Sequence, residues 1–151
     1  MRNEELLEFV RDITEMDHLA KLLKVEPLRI VSGDRWRLEL LKSKPPFQVE
    51  RATVIPNSVV PTHRHPHVDS FELFLAGDFE FYVGPRRFRI NDRARSILLP
   101  VPHTAWHGGF TRSHGAVFLS MQQWAGGILG TVVDDVEFLD EFQSIVEAIT
   151  G

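Results

Sequence analysis

Three of the seven histidines, His63, His65 and His67, fall within Pro61-Thr62-His63-Arg64-His65-Pro66-His67-Val68-Asp69-Ser70-Phe71-Glu72, and two acids follow them. A second cluster, Pro102-His103-Thr104-Ala105-Trp106-His107-Gly108-Gly109, comes later in the chain. There is no cysteine, so imidazole and carboxylate are the strong metal ligands on offer. That set suits Fe, Mn, Ni, Cu or Zn, and two histidines with one carboxylate is the non-haem iron(II) pattern. Ions held this way polarise oxygens or activate water or O₂. Three histidines in five residues also suit an exposed turn. The distant second cluster favours a metal site, because a closed coordination sphere draws ligands from separate segments.

Side chains two apart on an extended strand point the same way, so His63 and His65 share a side. Pro66 removes a ladder donor and marks a bend, which leaves the direction of His67 open. On the strand that follows, Ser70 and Glu72 share a face. Glu72 is the carboxylate able to supply an oxygen ligand, and Asp69 lies in the opposite phase.

These residues need a β framework, and the chain supplies one. Short candidate strands, at Leu28–Val31, Trp36–Lys42, Phe47–Ile55, Phe71–Val83, Arg87–Ile90, Ser96–Leu99 and Gly115–Met121, alternate apolar and polar residues or form short apolar runs. Glycine, proline and asparagine punctuate them. Gly77-Asp78 reads as a turn inside the longest, and Asn91-Asp92 as another. Residues 3–24 read as one helix, with Asn3 as cap and Leu6, Phe9, Val10, Ile13, Leu19 and Leu23 on one face. Residues 134–149 read as a second helix, capped by Asp134 or Asp135, with Val136, Leu139, Phe142, Ile145, Val146 and Ile149 as its stripe. The expectation is one all-β domain over 1–151, a barrel or sandwich over about 28–124, bracketed by terminal helices.

The bulk numbers agree with that size of fold. The 151 residues suit one core, and 43% hydrophobic with 25% charged residues is an ordinary soluble balance. A net charge of −4 without a basic block gives no electrostatic reason for nucleic acid as a partner. The acidic start, Met1-Arg2-Asn3-Glu4-Glu5, lacks a signal pattern, and no apolar run approaches ~18 residues. A cytoplasmic protein without a membrane partner is expected.

The two clusters resemble the two sequence motifs of the cupin superfamily, G-x5-H-x-H-x3-4-E-x6-G and G-x5-P-x-G-x2-H-x3-N, over roughly residues 47 to 124. His63-x-His65 followed by Gly77 fits the first, with Ser70 where glutamate is expected and Asn57 in place of its first glycine. A second register, His65-x-His67-x4-Glu72, restores the His–Glu spacing. Pro102-His103 resembles the ending of the second motif, with Pro100 at a glycine position and His107 at that of the asparagine. The resemblance implies a cupin-type double-stranded β-helix, a jelly-roll barrel, and frequent homodimers. It implies a divalent transition metal held by His63, His65, Glu72 and His103. His107 is then a fourth ligand, a supporting donor or a catalytic base, and His67 a further ligand or proton-transfer group.

The function expected from residues and resemblance together is a metal-dependent enzyme acting on a small organic molecule, of the dioxygenase-type oxidoreductase class. Isomerisation or hydrolysis at the same ion is the nearby alternative. Serine at the motif's glutamate position favours a different class, a non-catalytic small-ligand binder or sensor, and a metal-free structural barrel is the plainest reading. Phe74, Phe79, Phe81, Trp106, Phe118 and Met121 suit a core or an apolar pocket. Gln122, Gln123 and Trp124 suit the barrel mouth, and Arg51, Arg87 and Arg89 a solvated face.

Overall fold

The computed structural model describes residues 4–91 and 97–139. Among these residues, two helices, α1 (Glu4–Thr14) and α2 (Met16–Leu22), precede nine strands: β1 (Arg29–Ser32), β2 (Trp36–Lys44), β3 (Phe47–Val54), β4 (Val59–Arg64), β5 (Val68–Val83), β6 (Arg86–Ile90), β7 (Leu98–Val101), β8 (His107–Trp124) and β9 (Glu137–Phe138). All pairings are antiparallel. The sheet runs β1-β2-β3-β8-β4-β9, while β5 pairs with β6, β7 and β8. The long strand β8 is the hub. Its second half lies between β3 and β5, and its first residues pair with β4 and the far end of β5.

The expected single N-terminal helix is two. Glu15 adopts an extended backbone (φ −59°, ψ 134°), and its carboxylate accepts from the Asp17 and His18 amides. It therefore caps a new helix instead of continuing the first. Leu6, Phe9, Val10 and Ile13 of α1 and Leu22 of α2 pack on Leu41, Val49, Leu73, Leu119 and Met121. The apolar face of the helices is thus spent on the outer side of the β3-β8-β5 sheet. Strand alternation then turns Gln48, Glu50, Ser70, Glu72, Ser120 and Gln122, all buried, to the other side. A second cluster, built on Val54, Phe74, Phe79, Phe81, Ile90, Leu99 and Val101, fills the rest of the fold.

Gly77 does not turn the chain. Strand β5 runs through it, with register shifts between Phe74 and Ala76 and between Gly77 and Phe79. Gly77 has φ +115°, and a Cβ there would strike the Gly115 carbonyl oxygen of β8. Glycine serves here as a bulge and a close backbone crossing. The shifts explain how Phe74 and Phe79, of opposite parity in sequence, join one cluster.

The C-terminal helix is corrected at its start. The Asp134 and Asp135 amides donate to Thr131 O in a turn, and Glu137–Phe138 form β9, paired with β4. The Asp135 carboxylate accepts from the His67 amide, so it caps the β4–β5 turn and not a helix. The remainder of that expectation, residues 140–149, lies outside the described residues, as does Asp92 of the Asn91-Asp92 turn.

Candidate metal centre in the barrel

Strand β4 delivers His63, the turn after it delivers His65, and the first residue of β8 is His107, which pairs with His63. Ring centroids are 4.9 Å apart for His63 and His65, 4.3 Å for His63 and His107, and 5.2 Å for His65 and His107. One nitrogen from each ring lies within 4.8 Å of the others, and no further described residue joins this group. His107 is buried and the other two are half-buried.

Each ring is held from behind by a backbone carbonyl. His63 Nδ1 lies 2.6 Å from Pro61 O, His65 Nδ1 2.7 Å from Asp135 O, and His107 Nδ1 3.0 Å from Ala105 O. A carbonyl only accepts, so each neutral ring carries its proton on Nδ1 and leaves a lone pair on Nε2. Burial is the main cause keeping the rings neutral. It lowers the pKa of His63 to about 4, helped by His65 and opposed by the Pro61 carbonyl. It lowers that of His107 to about 3, helped by His63 and His65 against the Ala105 carbonyl. The pKa of His65 is lowered by burial too, with the Asp135 carbonyl and charge working against the shift. Three neutral imidazoles with anchored Nδ1 atoms are the donor set that metal-binding histidines present.

The triad opens on a cavity of about 430 Å³. Phe79, Phe81 and Phe118 form apolar walls, and Val132, Val133, Val136 and Phe138 close it from the C-terminal side. Its floor is polar. Ser70 Oγ and Ser120 Oγ donate to Glu72 Oε1 at 2.9 and 3.1 Å, and Gln122 Nε2 donates to Ser120 Oγ and Glu50 Oε1. Glu72 Oε2 is buried with no partner among the described residues. Burial above all, with the nearby Glu50 charge, raises the Glu72 pKa to about 7 despite its two serine donors.

The sequence reading placed Glu72 and His103 among the ligands, and the structure separates both from the triad. Glu72 lines the cavity floor two residues beyond the motif position held by Ser70, about 7 Å along a strand. His103 sits in the turn before β8 on the outer side, where Asp69 Oδ1 accepts from its amide at 2.8 Å and lies 2.9 Å from its Nδ1. His67 also faces outward, its Nδ1 2.6 Å from Asp135 Oδ1, because the Pro66 turn breaks the alternation that His63 and His65 share. His67, Asp69 and His103 line a separate outer cleft of about 580 Å³ with Pro45, Pro46 and Trp124. His107, read from the sequence as a fourth ligand, a supporting donor or a catalytic base, is the third member of the group, where His103 was expected. The signal was present: counted from Pro102, the spacing P-x-G-x2-H ends on His107, with Thr104 in place of glycine.

The remaining candidates have other partners. Met121 and Phe74 are core residues, and Trp106 lies under the Arg64 guanidinium at 4.4 Å. Arg51 grips both carboxylate oxygens of Glu39 at 3.1 Å, Arg87 lies over Tyr82, and Arg89 faces Asp78. Gln122 belongs to the cavity floor, whereas Gln123 and Trp124 line the outer cleft.

No protein-family model matches the chain, and no curated protein matches it in sequence. Solved structures do match in fold. A cupin-2 domain protein of Rhodospirillum rubrum superposes with a TM-score of 0.59 at 17% identity, covering 82% of this chain and 80% of its own. KdgF of a Halomonas species gives 0.56 at 14%, covering 63% and 86%. A Klebsiella pneumoniae protein with a double-stranded β-helix domain gives 0.55 at 12%, covering 74% and 90%. With its curled antiparallel sheet, its central strand β8 and these neighbours, the chain has the double-stranded β-helix fold of the cupin superfamily.

Proposed function

We propose that this chain is a metal-dependent enzyme acting on a small organic molecule, with His63, His65 and His107 as ligands of a divalent transition metal. The observation that carries this reading is the common anchoring of the three Nδ1 atoms, which leaves three Nε2 lone pairs for one ion. Such an ion polarises a bound oxygen or activates water or O₂. The chain's residues do the rest. Phe79, Phe81 and Phe118 hold the apolar body of the substrate and exclude water, and the size of the cavity suits a molecule of about one substituted ring. Dioxygenation of a small aromatic or carboxylate compound is the reaction class within this reading. Elemental analysis of purified protein, then oxygen consumption by the iron-loaded form with small acids and phenols, tests it. Absence of metal before and after exposure to Fe(II), Mn(II), Ni(II) and Zn(II) would sink the reading.

A second reaction class has its own support. Glu72 lines the same cavity with one oxygen unpartnered and a pKa of about 7, where a carboxyl group gives and takes a proton readily. This favours metal-assisted isomerisation or hydrolysis. Metal-dependent turnover without oxygen uptake would select it, and ligand binding without turnover would select the non-catalytic binder. A cytoplasmic homodimer completes the proposal. The dimer is supported by the edge strand β1, where Ile30 and the preceding Leu28 are exposed, and is checked by light scattering of the purified chain.

A further inference from the structure

The segment from Thr131 to Leu139 lies across the cavity and is fastened at three levels. Its strand β9 pairs with β4 at His63 and Arg64, and the Leu139 amide donates to Thr62 O at 3.0 Å. Arg64 and Glu137 form an ion pair at 2.8 Å. Asp135 makes the innermost connection, and it makes two. Its backbone carbonyl takes the Nδ1 proton of His65 at 2.7 Å. Its carboxylate receives the His67 amide at 2.9 Å and lies 2.6 Å from His67 Nδ1.

These two connections are linked by covalent geometry. The carboxylate grips the turn that carries His65 and His67, and the grip sets where the Asp135 carbonyl stands. His63 and His107 take their carbonyls from residues two positions before them, Pro61 and Ala105, so their anchoring is local. His65 alone of the three takes its carbonyl from 70 residues away, on the strap, whose Val132 backbone also reaches it. The orientation of one ligand therefore depends on whether the strap is closed. Val132, Val133, Val136 and Phe138 of the same segment wall the cavity, so opening the strap also opens the cavity.

We propose that Asp135 is a positioning residue that couples closure of the 131–139 strap to metal binding, by aiming His65 Nε2 through its carbonyl and holding the strap shut through its carboxylate. The proposal rests on the reading of His63, His65 and His107 as ligands. Coupling of this kind is reciprocal: what closes the strap tightens the metal, and the metal must tighten the strap to the same degree. Outer partners of metal-bound histidines change metal affinity by about 10- to 100-fold.

The test uses zinc as the probe and the full chain. Zinc affinity is measured by competition with a chromophoric chelator, and amide hydrogen exchange of residues 131–139 is followed with and without zinc. For Asp135→Ala we expect about tenfold weaker zinc binding, together with faster exchange across 131–139 in the metal-free protein. Zinc should slow that exchange in the wild type and do so less in the variant. Asp135→Asn keeps one side-chain acceptor and should recover most of the affinity. Glu137→Gln, which removes the exposed ion pair and spares the carbonyl, should stay within about twofold of wild type. Zinc uptake by the wild type with unchanged affinity in Asp135→Ala overturns this proposal alone, as does zinc binding that leaves strap exchange unaltered. Failure of the wild type to take up zinc overturns the metal reading and this proposal with it.

Discussion

Glu72 is an acid in an unusual place, and its environment fixes a pH signature. It is buried in the cavity floor, both serine hydroxyls reach the same oxygen, and Oε2 has no partner among the described residues. Its pKa rises from 4.5 to about 7, first through burial and then through the Glu50 charge. An acid with a raised native pKa favours the folded state fully below pH 4.5, and that benefit is lost as pH rises through about 7. At about 1.4 kcal/mol per unit, the whole swing is about 3.4 kcal/mol, and the part falling between pH 5 and pH 8 is about 2.5 kcal/mol. Glu72→Gln keeps the shape and cannot ionise. Urea unfolding of both proteins, followed by tryptophan fluorescence in the presence of a chelator, isolates the effect. Glu50 and the three cavity histidines are present in both proteins and cancel to first order. The variant should gain on wild type by about 2.5 kcal/mol from pH 5 to pH 8. A stability difference that holds constant within about 0.5 kcal/mol over that range, or moves the other way, would refute the assignment of Glu72 as a buried neutral acid.

The separation of the two histidine clusters into inner and outer groups gives a direct contrast. His107→Ala should weaken zinc binding by at least about 100-fold, whereas His103→Ala, which loses a bond to Asp69 on the outer face, should stay within about twofold, both read by chelator competition. Gly77→Ala should destabilise the fold by about 3 kcal/mol or more in urea unfolding, since φ +115° and the Gly115 carbonyl both oppose a Cβ. Leu6→Ala, at a fully buried position between α1 and the sheet, should cost about 2–5 kcal/mol and leave zinc affinity unchanged, because its cluster lies on the far side of the sheet from the triad.

Much of the fold was legible because alternation reports burial directly. Strands β2 and β6 fall within two residues of their expected ends because their polar and apolar residues alternate, and β3 does so because Pro45-Pro46 and Pro56-Asn57 bound it, although both of its faces are buried. Two features escaped that logic. Gly77-Asp78 carries the composition of a turn, yet it lies inside β5, where the same glycine permits a bulge and a tight crossing. The apolar spacing after Asp134 has the period of a helix. Val136 instead faces the cavity, and Glu137 and Phe138 pair with β4, because the open edge of β4 offers backbone partners that local spacing cannot register.

The site was legible in its chemistry and less so in its assignment, for one physical reason. Period two tells which neighbours on a strand share a side, and that correctly joined His63 to His65. It does not tell which residue of a distant strand arrives opposite them. That depends on the β4–β8 register, which sets His107 against His63 and leaves His103 four residues short, in a turn on the outside. The same limit applies to Glu72. Its parity placed it on the inner face, which is where it lies, but parity carries no information on distance along the strand. A displacement of two residues moved the carboxylate from the motif position to the floor, where Ser70, standing at that position, donates to it. The substitution at residue 70 and the acid at residue 72 therefore act together. An acid is absent from the expected place, and a buried carboxyl group with a raised pKa stands in the floor of the cavity that three neutral imidazoles line.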